Sequence, residues 1–366
     1  LLGVICSQIP LLGNYHFESA ILASVIGAFW AGYRTASERH NDSDLTHVAF
    51  VLRLLYIASI PLILLAIIKD CFSWHGLGFW IIYPAPSVFL GAATGRLIRS
   101  FNLPKAPVIT IIILTLAGIG GLLLEFKTLP QVYFYNHIWG GWPGPIYDET
   151  VTITLPAIFF RTLTLAWATL LWFMPDVFKL KYSPWIVAGS LIYLLIGYTN
   201  LAEYGIISPE AYLQQKLTGV KATPHFTIHY AEEAYSKKDI ERYALLHEFY
   251  LHDIVETLQV DNPYKSNKIN SYLYADPWQK KRLVGAKFTS YVPVWLQQDQ
   301  LHIAKQQLDN SLKHELVHVV AKQFGNSLFN ASWSIGLIEG LAVAVAGSAN
   351  PTSTIDQLVA GDDHLP

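Results

Sequence analysis

The sequence predicts an α-helical transmembrane bundle of about six spans followed by an α+β domain. Of its 366 residues, 52% are hydrophobic and only 14% are charged, and the mean hydropathy is +0.32, values typical of an integral membrane protein. Long apolar runs fill residues 1–200, whereas strand and helix patterns alternate after residue 201. We therefore predict a membrane domain at 1–200, a linker at 201–222 and a second domain at 223–366.

Six apolar runs approach the length of about 20 residues that crosses a bilayer as a helix. They occupy residues 18–33, 48–68, 77–98, 108–126, 150–173 and 184–198. Six such runs in succession favour a multi-pass membrane protein over a soluble helical core.

The short loops between the runs predict the orientation. Basic residues follow the first, third and fifth runs: Arg34, Arg39, Arg96, Arg99, Lys105, Lys179 and Lys181. Because Lys and Arg concentrate in cytoplasmic loops, these three loops are assigned to the cytoplasm. Six spans then put everything after Asn200 on the periplasmic or extracellular side. Arg161, about halfway along the fifth run, needs a partner inside the bundle.

Charge content argues against one class of function, and cysteine content bears on disulfide bonding. Residues 1–200 carry 11 basic and 9 acidic residues, and residues 201–366 carry 14 and 18, so the net charges are +2 and −4. Neither part has the basic excess of a nucleic-acid-binding protein. Cys6 and Cys71 both fall on the outer side, where a disulfide is possible; two buried free thiols are the alternative.

The second domain begins with a strand pattern at 225–230, followed by an amphipathic helix at 237–258 and strands at 268–274 and 298–304. This order predicts an α+β fold. His247 and His252 are five positions apart, which is wrong for one helix face, so we expect exposed or core-edge histidines.

Residues 311–324 contain His314, Glu315 and His318 in the pattern HELVH. Positions four apart share a helix face, so both imidazoles can reach one ion, with Glu315 beside them to take a proton from water. A second apolar helix at 335–347 contains one acid, Glu339. Two histidines and one glutamate, with a fourth position open, form the ligand set of a catalytic zinc site.

HELVH followed by GLIEGLA resembles the gluzincin zinc metallopeptidases of the peptidase MA-like type, over about 223–349. The resemblance implies a gluzincin-like fold, Zn²⁺ held by His314, His318 and Glu339, and Glu315 as general base. It also implies a peptide or protein substrate, which pairs with the strand at 298–304. Val343 departs from the family, which often has an acid there that orients a ligand histidine.

The sequence thus predicts a membrane-anchored zinc peptidase on the non-cytoplasmic side, with the bilayer and a peptide as partners. Tyr291, His302 and His364 are candidate oxyanion donors by residue type. The alternative is a catalytically degenerate zinc- or peptide-binding module on a membrane sensor, scaffold or transporter subunit. A site within the bilayer is disfavoured by the charged residues around HELVH, namely Lys305, Asp309, Lys313 and Lys322.

Overall fold

The computed structural model describes residues 2–37, 43–144, 146, 149–264, 267–293, 299–326 and 334–347. Most of these residues are helical. The helices are α1 (Leu2–Cys6), α2 (Phe17–Ser37), α3 (Asp44–Ile68), α4 (Trp74–Ile82), α5 (Pro84–Ser100), α6 (Ala106–Thr128), α7 (Leu155–Phe173), α8 (Ser183–Thr199), α9 (Glu210–Lys216), α10 (Lys237–Leu258), α11 (Pro277–Val284), α12 (Leu308–Ala321) and α13 (Ile335–Ala346). The strands are β1 (Phe134–Asn136), β2 (Gly140–Trp142), β3 (Gly219–Ala222), β4 (Phe226–Tyr230), β5 (Ile269–Tyr274) and β6 (Gln300–Ala304).

The chain divides into two compact units, Leu1–Glu125 with Tyr133–Ile207, and Phe126–Val132 with Ser208–Pro366. The predicted apolar runs of the first unit fall on helices, although the third is divided between α4 and α5 and the fifth begins five residues before α7. Within the described part of the chain, four helical stretches are long and apolar enough to cross a membrane: Asp44–Ile68, Trp74–Ser100, Ala106–Thr128 and Leu155–Asp176. The other two helices are α2, which carries Glu18 and Arg34, and α8, which has 17 residues.

Small residues let α2 and α5 pack closely. Gly91 and Gly95, four positions apart on α5, face the α2 backbone, where an added Cβ would overlap with the carbonyl oxygens of Ala28 and Gly32 respectively. Apolar helices often associate through such contacts in a membrane. Lipid is as apolar as the helix surface, so close packing rather than the hydrophobic effect stabilises the pair.

The break between α4 and α5 is stabilised by Arg161 of α7. Pro86 has no N–H to donate to the Ile82 carbonyl, and the Arg161 Nε donates to that oxygen at 3.1 Å. Its Nη2 donates to the Tyr83 carbonyl at 2.7 Å, and its Nη1 to the His137 carbonyl at 3.2 Å. Arg161 is buried. The sequence predicted that it needs a partner inside the bundle, and this partner is a set of backbone carbonyls.

Arg161→Gln is expected to destabilise the first unit by about 3 kcal/mol or more, because at least two buried carbonyls lose their donor. The measurement is thermal unfolding of the purified full chain in detergent. Arg53→Gln, at an exposed position of α3, is the matched control and should change the unfolding temperature little. Equal effects of the two substitutions would contradict this role.

Ion pairs between acidic and basic side chains join the ends of three helices in the first unit. Asp44, at the start of α3, binds Arg99 of α5 at 2.8 Å and also binds Arg96. Arg96 in turn binds Asp176, which follows α7. The predicted basic loops after α5 and α7 therefore belong to the same end of the first unit as the start of α3.

The loop after α6 is rich in aromatic residues. It contains a hairpin that the sequence pattern did not predict. β1 and β2 pair antiparallel, with Phe134 opposite Trp142. The Asn136 side chain accepts the Ile138 N–H at 2.8 Å and Gly140 has φ 103°, as is common in turns, where Asn and Gly are favoured.

The two cysteines of the first unit are free thiols, Cys6 buried and Cys71 exposed. The predicted disulfide is therefore wrong, and so is the alternative of two buried thiols.

A four-stranded mixed sheet organises the second unit, in the order β3-β4-β5-β6. β3 runs antiparallel to β4, and β4, β5 and β6 are parallel. The predicted strands at 225–230, 268–274 and 298–304 and the helix at 237–258 are confirmed, while α9 and β3 lie within the expected linker. One sheet face packs on α10 and α12 through Ile228, Leu273, Leu301, Ile303, Ile254, Leu312, Leu316 and Val320.

His247 is fully buried, so the expectation of an exposed or core-edge histidine is wrong at this position. Its Nδ1 lies 2.7 Å from the Tyr243 carbonyl oxygen and its Nε2 lies 2.9 Å from the Ser271 hydroxyl. Both ring nitrogens thus have partners, and the contact with Ser271 links α10 to β5. Burial lowers the pKa of His247 from 6.5 to about 4, which keeps the imidazole neutral.

The second unit is therefore expected to lose stability in mild acid. The unfolded chain takes up a proton on His247 near pH 6.5 and the folded chain only near pH 4, so its contribution is present above pH 6.5 and is lost as the pH falls towards 4. The loss is about 3 kcal/mol. Chemical unfolding at pH 7 and at pH 4.5 measures it, with His247→Gln as the control whose pH dependence is shallower. Greater stability at pH 4.5 would contradict the argument.

Candidate metal centre

Helix α12 presents the two histidines because its opposite face is buried. Leu312, Leu316 and Val320 recur every four residues and lie in the core of the second unit, which turns His314 and His318 to the other side. The helix begins at Leu308, three positions earlier than predicted, and continues as a short 3₁₀ turn to Phe324.

Helix α13 brings Glu339 to both histidines. Its carboxylate oxygens lie 3.4 Å from the Nε2 of His314 and 3.5 Å from the Nε2 of His318. The two Nε2 atoms are 3.1 Å apart. The three residues predicted as metal ligands therefore converge, although 20 residues separate His318 from Glu339 in the sequence.

These separations fit a tetrahedral zinc site. Ligand atoms at 2.0–2.1 Å from a zinc ion with tetrahedral angles lie about 3.4 Å from one another. The two Nε2 atoms are 3.1 Å apart, and the 3.4 and 3.5 Å distances reach different oxygens of the Glu339 carboxylate. One ligand atom from each residue lies within 4.8 Å of the other two. Imidazole nitrogen and carboxylate oxygen are both ligands that zinc accepts. His314, His318 and Glu339 could thus hold Zn²⁺ after a modest rotation of the carboxylate and leave a fourth position for water or substrate.

The protonation state of His318 also suits a metal ligand. Burial lowers the pKa of His318, and the Glu339 carboxylate opposes this shift. A neutral imidazole has a lone pair to donate to a cation, whereas an imidazolium does not. Glu339 is about half exposed (54%), so the cluster opens to solvent on the side of α13.

Glu315, the predicted general base, is buried beside this cluster with 6% of its surface exposed. Burial, and next the negative charge of Glu339, raises the pKa of Glu315 to about 8, and the Lys280 ammonium opposes the shift. A bound cation would favour the carboxylate form. The arrangement provides a proton acceptor that is poorly solvated, as general bases are.

Several contacts fix α12 in place next to the ligands. Lys313, the residue before His314, binds Asp253 of α10 at 2.8 Å. The Tyr264 hydroxyl donates to the Val319 carbonyl at 3.0 Å, and Lys322 binds Asp299. The position that is often acidic in gluzincins is Val343, which is exposed, so these contacts position the helix without that acid.

Lys280 is a residue of this region that the sequence did not single out. It is fully buried, and its Nζ donates to the Gln307 side chain at 2.7 Å and to the Thr289 carbonyl at 3.0 Å. Gln307 directly precedes α12. In the sequence Lys280 stands in the run KKR, which is typical of a solvated surface, so no local signal marks it as buried.

The candidate oxyanion donors within the described residues have other partners. The Tyr291 hydroxyl donates to the Pro130 carbonyl at 2.8 Å. His302 is fully buried, with its Nδ1 2.8 Å from the Tyr274 hydroxyl and its Nε2 3.1 Å from the Gln300 side chain. His364 lies outside the described residues.

The outer side of β6 is also occupied at its centre. Tyr291 and His302 exchange two backbone hydrogen bonds of 3.3 and 3.0 Å, antiparallel to β6. An extended peptide therefore cannot pair with β6 at His302 as the resemblance implies. A peptide that binds on that side would have to pair with the segment that carries Tyr291.

No protein-family model, curated protein or solved structure matches this chain.

Proposed function

We propose that this protein is a membrane-anchored zinc peptidase. The observation that carries the proposal is the convergence of His314, His318 and Glu339, with one ligand atom of each within 4.8 Å of the others, next to the buried Glu315. A purely structural zinc site closes its coordination with a fourth protein ligand. Among the described residues the metal-binding group has three members, as in a catalytic site.

The residues have distinct roles in this proposal. His314, His318 and Glu339 hold zinc, which when bound polarises the substrate carbonyl and acidifies a water molecule. Glu315 takes the proton of the attacking water and passes it to the leaving amine. The buried environment of Glu315 keeps competing water away and makes its carboxylate a stronger base than a solvated one.

We further propose that the second unit acts on the periplasmic or extracellular side, joined to six membrane spans. The four apolar helices and the common end that carries Arg96, Arg99 and Asp176 support this arrangement, since basic residues concentrate on the cytoplasmic side. A peptide or protein on the outer side would be the substrate. The chemistry of these residues supports a hydrolytic site, and the peptide substrate is proposed from the resemblance to gluzincins.

The proposal is tested by hydrolysis of a library of quenched fluorescent peptides by the full chain in detergent. We expect cleavage that a zinc chelator such as 1,10-phenanthroline abolishes and that added Zn²⁺ restores. The non-chelating isomer 1,7-phenanthroline is the control and should leave the rate unchanged. Cleavage that is insensitive to the chelator would contradict the proposal. Zinc binding without any cleavage would favour the alternative, a binding module on a membrane protein.

A further inference from the structure

An aromatic and basic surface lies on α11 and the segment after it, apart from the metal centre. It consists of Trp278, Lys281, Arg282, Lys287 and Phe288, and we call it the aromatic–basic surface. Trp278 is 64% exposed and Phe288 53% exposed. Lys287 is itself buried, with its Nζ under both rings, 3.2 Å from the centre of Trp278 and 4.6 Å from the centre of Phe288.

The surface forms because α11 has well-defined ends. Asp276 accepts the Gln279 N–H at 2.9 Å as the N-cap, Pro277 takes the first helical position, and Gly285 ends the helix with φ 94°. On such a helix, Trp278, Lys281 and Arg282 are three and four positions apart and share one face. The Lys281 Nζ lies 5.6 Å from the Trp278 ring centre.

The charge of this surface differs from that of the unit around it. Residues 277–298 contain four basic residues and no acidic one, although residues 201–366 as a whole carry 14 basic and 18 acidic residues. Lys280 and Lys287 are buried, so Lys281, which is half-buried, and Arg282, which is exposed, present the charge at the surface. A local positive potential on a negative domain attracts an anionic partner.

The chain itself places the surface near the end of a membrane helix. α6 ends at Thr128, and its last three residues belong, with the segment up to Val132, to the second unit. The Val132 N–H donates to the carbonyl of Val284, the last residue of α11, at 3.0 Å. Four residues span at most about 14 Å, and the hydrogen bond adds 3.0 Å. α11 therefore ends within about 17 Å of the end of a helix long enough to cross a bilayer.

We propose that the aromatic–basic surface binds the anionic lipid headgroups of the bilayer that α6 enters. Trp and other amphipathic aromatic side chains concentrate at the membrane–water interface, and Lys and Arg next to an anionic surface bind its phosphates. The contact would hold the second unit against the membrane surface. This role is independent of zinc and of peptide cleavage.

The test uses a nitroxide spin label at Thr289→Cys, an exposed position beside Phe288, in the full chain with Cys6→Ser and Cys71→Ser. The protein is placed in nanodiscs of phosphatidylcholine alone or with an equal part of phosphatidylglycerol. We expect the label to be more accessible to oxygen, and less to a water-soluble nickel complex, in the anionic bilayer. Phe249→Cys on α10, at a position that is 61% exposed, is the matched control. A label there should show the same accessibility to oxygen and to nickel in both bilayers.

Combined Lys281→Gln and Arg282→Gln should lower the ratio of lipid-bound to unbound label about 25-fold, because each basic residue near an anionic surface contributes roughly fivefold. Trp278→Gln should also reduce oxygen accessibility in the anionic bilayer. A label at Thr289→Cys that stays equally aqueous in both bilayers would overturn the proposal. A lipid response that survives the Lys281 and Arg282 substitutions would overturn it as well.

Discussion

Replacing Glu339 with alanine is expected to lower the zinc affinity of the full chain about a hundredfold. A structural zinc site with four protein ligands has an apparent binding free energy of about 10–16 kcal/mol, so one ligand is worth roughly 3 kcal/mol. Glu339 meets both histidines at 3.4 and 3.5 Å and is the single acid of α13. Competition with a chromophoric zinc chelator measures the change.

The matched control for this substitution is Glu256→Ala. Glu256 is also a helical acid next to a histidine, His252, at 3.7 Å, but both side chains are exposed and lie in no three-ligand cluster among the described residues. Its replacement should leave the zinc affinity unchanged. Glu339→Ala that binds zinc as tightly as the wild type would remove Glu339 from the ligand set.

Replacing Glu315 with glutamine is expected to reduce peptide hydrolysis by about 10²–10⁴-fold, the usual contribution of a general base, while zinc binding is kept. Glutamine has nearly the shape of glutamate but no basic oxygen. Because Glu315 is buried and its pKa is raised to about 8, the neutral amide should also fit the folded protein without loss of stability. Rates are compared at equal zinc loading.

Two outcomes would count against the role of Glu315. If Glu315→Gln retained the wild-type rate, another group would have to take the proton. If the wild type bound zinc and peptide but cleaved none, and Glu315→Gln bound both equally well, the protein would be a binding module. Glu315→Asp offers a further comparison, since its carboxylate is one methylene shorter and should recover only part of the rate.

The features that depend on long, regular patterns were predictable from the sequence. The amphipathic pattern of α10 gives the observed bounds, Lys237–Leu258, and HELVH lies on a helix with both imidazoles on one face. The apolar runs all fall on helices. These signals are strong because one periodicity repeats over many residues, or because few residue types can perform the chemistry.

Short elements and buried polar groups depended on tertiary context. The hairpin of β1 and β2 and helix α11 are too brief for periodicity, although Asp276, Pro277 and Gly285 mark the ends of α11. The partners of Arg161 are carbonyls near Pro86, which no charge pattern indicates. His247 lies five residues from His252 and was expected nearer the surface, because spacing does not show which helix face packs against Ser271.

We propose that His314, His318 and Glu339 hold a zinc ion, and elemental analysis of the purified wild-type chain tests this ligand set. Loosely bound metal is first removed by gel filtration. We predict about one zinc per chain in the wild type and in Glu315→Gln, and a large loss in Glu339→Ala. A well-folded wild type with no stoichiometric zinc, even after incubation with Zn²⁺, would contradict it.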